Sequence, residues 1–225
     1  MGLETARWIT VDDTGARHAG RDGVVTQLGD NRFAAFRTRP SKSRLAFLAT
    51  LRSGHADFVV DEQALAYMRA RARALAGPVI AVLEAHPTRR FGDEAAWQAH
   101  LETLGIDRLK VTPDPVRIAT EGATWGAIRA HGLLPDTVIV SDDAGQFRLA
   151  DHALCWGARG ETGLQAATAN PAFQKAVDLT RTLLWWFYAD LKAYKREPDR
   201  KRARMLRARF DRIFTKNTGY VMLDR

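Results

Sequence analysis

Trp8-Ile9-Thr10-Val11-Asp12-Asp13-Thr14-Gly15 decides the fold once it is set beside Thr137-Val138-Ile139-Val140-Ser141-Asp142-Asp143-Ala144-Gly145. Each is a short β-branched run that ends in two aspartates and a following glycine. β-Branched side chains suit a strand, and acids with glycine mark where it stops. The first strand is therefore expected to end at Asp12. Carboxylates at the ends of neighbouring strands can converge on one cation site, and oxygen ligands of that kind suit Mg²⁺ or Mn²⁺. The two runs lie far apart in the chain, so only a fold can bring them together.

Working outward, residues 23–28 and 32–38 read as a hairpin with Gly29-Asp30-Asn31 at its turn. Ser41 to Arg52 reads as a helix, with Leu45, Leu48 and Leu51 on one face and Gly54 after its end. The opening order is thus β-β-β-α. A mostly helical stretch, about 61–132, follows. Asp61 and Asp93 are placed to cap helices, and Gly77 and Gly105 to stop them. Val79 to Leu83 reads as a short strand, and Thr120 to Ala130 as a third helix. After the second acidic strand, Phe147 to Trp156 is expected to pair beside it. Residues 157–170 carry no pattern. Two helices complete the chain, broken at Pro198 and capped again by Asp199. Leu206, Phe210, Ile213 and Phe214 form an apolar stripe on the last of them, opposite Arg200, Lys201, Arg204 and Arg207.

Bulk properties narrow the function. The chain has 225 residues, 46% of them hydrophobic, enough for a real core. No uncharged apolar run approaches the roughly 18 residues of a membrane span. No basic region followed by an apolar one marks a secretory leader. The single Cys155 excludes an internal disulfide framework and fits a reducing cytoplasm. The net charge is +8 and the isoelectric point about 10.0, so a polyanionic partner is expected, nucleic acid before membrane. From Ala176 to Arg225, 13 Lys and Arg stand against 6 Asp and Glu, so the tail holds most of the excess.

Metal-dependent phosphoryl transfer on DNA would use such acids: divalent ions activate the attacking oxygen and stabilise the leaving one. A ribonuclease-H-like α/β core has the required order, with three antiparallel strands, a helix, then a further strand beside the first. One acid sits on the first strand, one after the fourth, and a third on a late helix.

Wording adds to pattern. Val11-Asp12-Asp13-Thr14-Gly15-Ala16-Arg17-His18, Ser41-Lys42-Ser43-Arg44, Val140-Ser141-Asp142-Asp143-Ala144-Gly145-Gln146-Phe147 and His152-Ala153-Leu154-Cys155-Trp156 resemble bacterial insertion-sequence transposases of the Asp-Asp-Glu class, most closely the insertion-sequence-66 group. The resemblance covers nearly the whole chain. It implies a ribonuclease-H-like catalytic core over 1–156 with the helical insertion, an irregular linker at 157–170, and a basic helical hairpin at 171–225. It implies Asp12 and Asp142 as catalytic, metal-holding acids for Mg²⁺ or Mn²⁺, with Asp13 and Asp143 as supporting neighbours. Arg17 and His18 would face DNA, or simply solvent. Transposon ends and target DNA would be the partners, with a homo-oligomer or helper protein besides; no helix-turn-helix is evident, so the ends would be recognised by missing sequence or by a partner.

The resemblance also implies a third acid, a glutamate within a motif like His-Thr-Asn-Gly-Ser-Glu. These 225 residues contain no such motif, and neither Glu161 nor Glu197 sits in the right context. Residues 157–169 depart from the family wording as two compensating frameshifts would make them. The expectation is a C-terminally truncated core, inactive alone, with a catalytically silent DNA-binding remnant as the alternative.

Other residues read plainly. The six histidines show no zinc-ligand spacing to one another or to Cys155. Cys155 reads as a small buried hydrophobe on a strand. Trp185, Trp186 and Tyr188 read as core, although one tryptophan could stack on an unpaired base. The basic helices read either as DNA-contacting or as a hairpin with a solvated face; charge and resemblance favour DNA.

Overall fold

The computed structural model describes residues 2–18, 20–71, 77–149, 151–155, 170–221 and 224. The chain divides into two compact units, Met1–Leu154 and Cys155–Arg225. Residues 157–169, where the frameshift reading falls, lie outside the described residues.

The first unit is α/β. Strands β1 (Trp8–His18), β2 (Arg21–Gly29) and β3 (Ala34–Arg39) form an antiparallel meander. Two short strands, β6 (Val138–Ser141) and β7 (His152–Leu154), run parallel to β1, giving the order β3-β2-β1-β6-β7. The strands alternate faces, as their period of two requires. Ile9, Val11, Leu28 and Ile139 point one way and form a buried core with Phe47, Leu48, Leu51, Trp125 and Ile128. Those partners come from two helices, α2 (Arg44–Leu51) and α6 (Pro115–Ala130). The other face of the sheet carries Trp8 and Phe36, both exposed.

Local chemistry explains the helix starts. Ser43 begins α2 by accepting from Ala46 N at 3.2 Å. Asp61 caps α3 (Glu62–Ala70), and Asp93 caps α5 (Glu94–Thr103), each through a backbone N–H three residues on. Asp114 followed by Pro115 opens α6. A second core cluster joins α3, α5 and α6 through Leu65, Met68, Trp97, Leu101 and Ile118. Trp97 is fully buried, and its Nε1 donates to Thr120 Oγ1 at 2.9 Å. Two small strands, β4 (Phe58–Val59) and β5 (Arg90–Phe91), pair beside this cluster.

Four expectations are corrected. β1 does not stop at Asp12 but continues to His18, because β2 pairs with it as far as Arg21 and Thr26 Oγ1 satisfies Asp13 at 2.6 Å. Val79 to Leu83 is not a strand; it lies within helix α4 (Gly77–Ala85), where Val79, Ile80 and Leu83 share the buried side. A short apolar run fits either element, and only its packing decides. The neighbour of β6 is shorter than 147–156: a 3-10 turn at Gly145–Phe147 precedes β7. Cys155 follows β7 and is exposed rather than buried.

The second unit contains helix α7 (Pro171–Arg196), capped by Asn170, and helix α8 (Arg200–Phe214), capped by Asp199. Phe187 and Phe210 meet at 6.1 Å between ring centres, and Asp190 pairs with Arg209. A two-helix hairpin has a single seam. Trp185 and Trp186 are 46% and 67% exposed, so the core role expected for them is overturned. Among the described residues no helix is long and apolar enough to cross a membrane.

Candidate functional site

The acidic pairs lie on adjacent strands of the sheet. Parallel pairing runs Trp8↔Val138, Ile9↔Ile139, Thr10↔Val140. Asp12 lies two residues beyond Thr10, and Asp142 two beyond Val140, so Asp12, within β1, stands level with Asp142, just past the end of β6. The members of each pair have different surroundings.

Asp12 is exposed and lies on the open face of the sheet, in the row of Trp8 and Thr10. Its Oδ1 accepts from Asp13 N at 2.9 Å. Asp142 is exposed too, and its Oδ1 accepts from Ala144 N at 3.0 Å, which closes the turn after β6. The Oδ2 atoms of Asp12 and Asp142 have no partner among the described residues. Asp13 points to the helix-covered face and both of its oxygens are engaged. Oδ1 accepts from Thr26, and Oδ2 accepts from Gln146 Nε2 at 3.2 Å. Asp143 Oδ1 accepts from Arg148 Nη2 at 2.5 Å. One acid of each pair therefore supports the scaffold, and the other keeps an oxygen to offer.

The start of α2 borders this end of the sheet. Lys42 Nζ donates to Asp13 O at 3.4 Å. Arg44 Nη1 donates to Arg148 O at 2.5 Å, and its Nη2 donates to Gly145 O, clasping the acidic turn from below. Behind Arg44 lies Glu121, 2% exposed. It accepts from Tyr67 Oη at 2.7 Å and stands 3.9 Å from both Arg44 and Arg71. A buried carboxylate needs such partners. Burial, and then the adjacent Glu121, push the Tyr67 hydroxyl well above its ordinary value, so it remains a donor. His152 adjoins the turn, with Ser141 Oγ and its Nε2 at 2.8 Å. Burial and the Arg148 charge lower its pKa against the opposing pull of Asp143 and Asp142.

The remaining site candidates lie elsewhere. Arg17 is near the far end of β1, highly exposed, 3.7 Å from Asp22. The His18 side chain lies outside the described residues. Arg200, Lys201, Arg204 and Arg207 belong to the second unit, on α8. All four are exposed, and none makes an ion pair among the described residues. Residues 200, 204 and 207 follow the helical repeat, so their charges line one face.

Sequence reading missed one further constellation. His55, Asp57 and His131 bring one potential ligand atom each to within 4.8 Å of one another. The sequence carries no local signal for it, because His131 reaches the other two only through the fold.

The sequence is similar to the uncharacterized protein y4jO of Sinorhizobium fredii. The two are 45% identical over 224 residues, which is 100% of this chain and 68% of that protein. The chain belongs to the y4jO family. No family model matches it, and no solved structure matches it.

Proposed function

We propose that the chain is the core of a DNA transposase of the Asp-Asp-Glu type, built on a ribonuclease-H-like sheet. The observation that carries this reading is the placement of Asp12 and Asp142. They stand level with each other on adjacent parallel strands, in a sheet ordered β3-β2-β1-β6-β7, and each keeps one carboxylate oxygen uncommitted. That donor set suits a hard divalent cation such as Mg²⁺ or Mn²⁺. When bound, the cation would lower the cost of forming the attacking oxyanion and of releasing the leaving one.

The chain's own residues do the rest. Asp12 and Asp142 would hold the cation. Asp13, through Gln146, ties the strand end to the acidic turn. Arg44 fixes that turn against α2, and Lys42 leaves a positive charge at the rim where a phosphodiester would approach. The exposed face of α8 would hold the DNA backbone through Arg200, Lys201, Arg204 and Arg207, a salt-sensitive and sequence-blind grip. In the reaction a hydroxyl oxygen forms a bond to phosphorus as the bond to the leaving strand oxygen breaks.

One observation favours the alternative, a catalytically silent DNA-binding protein. Among the described residues, neither Glu197, on the late helices, nor Glu121 is free to serve as the third acid. Glu197 pairs with Arg202 at 3.2 Å, and Glu121 is buried among arginines. The test is a joining assay with pre-cut transposon ends and Mn²⁺, run beside a DNA-binding titration. Salt-sensitive binding with little joining is expected from these 225 residues, and Asp12→Asn should leave the binding intact. Robust joining would contradict the need for a third acid. No binding at physiological salt would contradict both readings.

A further inference from the structure

We infer that His55, Asp57 and His131 form a binding site for a borderline divalent transition ion, Zn²⁺ in the first place, separate from the acidic strand ends. His55 sits in the turn after α2, Asp57 just before β4, and His131 at the C-terminal cap of α6. His131 Nε2 and Asp57 Oδ1 are 2.8 Å apart. The two imidazoles stack with centres 3.6 Å apart and planes 11° from parallel. A tetrahedral ion with bonds of about 2.0–2.1 Å needs donors about 3.3 Å apart. The His131–Asp57 spacing is somewhat shorter than that, and all three donor atoms lie within 4.8 Å of one another.

The donor types set the ligand class. Two imidazole nitrogens and one carboxylate are a zinc-type set, softer than the all-oxygen set that suits Mg²⁺. Three protein ligands leave the fourth position to water. The ion would replace the proton now shared between His131 and Asp57. Coordination also requires the stacked rings to splay so that both lone pairs meet one point. His55 can supply that movement, since it lies in an exposed turn whose Ser53 and Gly54 have φ of 54° and 98°.

The other two ligands are held firmly. Arg52 Nη2 donates to Asp57 O at 2.6 Å, while its guanidinium lies 4.6 Å from the centre of the Phe58 ring. His131 N donates to Ala127 O at 3.0 Å, and Leu133 N to Ile128 O at 3.1 Å, closing the end of α6. The site therefore joins the α2–β4 turn to the end of α6. Helix α2, eight residues long, spans about 12 Å and separates this cluster from Lys42 and Arg44 at the acidic end. The inference does not rest on the transposase reading.

The test is a Zn²⁺ titration of the tag-free full chain after chelator treatment, by calorimetry and by thermal unfolding. One saturable equivalent is expected, with a rise in the unfolding midpoint that a chelator reverses. His55→Ala and His131→Ala should each weaken binding by about tenfold or more. Asp57→Asn, nearly isosteric, should weaken it without loss of fold. His86→Ala, where the His86 and His100 ring centres lie 4.5 Å apart, should leave it unchanged. Absence of saturable binding in the unmodified chain, or equal binding by His55→Ala and His131→Ala, would overturn the inference.

Discussion

Gly126→Ala should destabilise the first unit although alanine is the better helix former. A Cβ built at Gly126 would lie 2.2 Å from Val59 O, 2.9 Å from Ala64 Cβ and 3.0 Å from Asp61 Oδ1. The closest obstacle is a backbone carbonyl of β4, and the other two belong to the first turn of α3 and its cap. No rotamer change relieves them. Helix α6 would have to shift by about 1 Å, and it supplies Ile118 and Ala123 to one core and Trp125 and Ile128 to the other. Overpacking of this kind costs about 1–3 kcal/mol, and disturbing the Asp61 cap adds up to about 1 kcal/mol. Helix propensity returns about 1 kcal/mol. The net loss should be about 2 kcal/mol, or about 4–8 °C in Tm for a unit of this size. Gly122→Ala is the matched control. Its Cβ would meet Met68 Cε and Cγ at 2.6 Å, the mobile part of a side chain, with Ala64 O at 3.1 Å. Thioethers adapt, so that variant should lose less. Urea unfolding of both variants gives the comparison. If Gly126→Ala proves as stable as Gly122→Ala, the close approach of α6 to β4 is wrong.

Further outcomes follow from the same geometry. His100 is buried, its Nε2 has no partner among the described residues, and burial followed by the neighbouring His86 charge lowers its pKa. Its neutral form is thus favoured in the folded state. The contribution is full above the ordinary histidine range and is lost as pH falls below it, because the unfolded chain then binds more protons. Unfolding midpoints measured from pH 8 to pH 5 should fall, and His100→Leu should flatten that slope; a steeper slope would refute the assignment. Replacing Arg200, Lys201, Arg204 and Arg207 by alanine should reduce the salt slope of DNA binding by about 0.9 for each phosphate contact removed. An unchanged slope would return α8 to a merely solvated face. Asp13→Asn should weaken the tie between β1 and the acidic turn, seen as faster amide exchange at residues 143–147; unchanged exchange would mean that the Gln146 contact carries little.

The readings that rested on local chemistry came through the fold, and those that needed a partner did not. Asp61, Asp93 and Asp199 each cap the helix expected of them, because a cap is satisfied by the next few backbone N–H groups. The end of β6 before Asp142 was legible for a similar reason. The length of β1 was not, since β2 extends it and Thr26 takes up an acid that a free strand would leave to solvent. The run from Val79 to Leu83 had no period long enough to distinguish helix from strand. Trp185 and Trp186 follow a helical repeat, but the sequence does not show how many neighbours cover a helix. The approach of His131 to Asp57 has no trace in spacing at all.

Mn²⁺ binding by Asp12 and Asp142 decides the catalytic reading. Electron paramagnetic resonance of the free ion would follow a titration of the full chain with duplex DNA present. The account predicts that Asp12→Asn and Asp142→Asn each weaken Mn²⁺ binding by about tenfold or more, while His55→Ala leaves it unchanged. If both aspartate variants bind Mn²⁺ as tightly as the unmodified chain, Asp12 and Asp142 are not a metal site, and the catalytic reading falls with them.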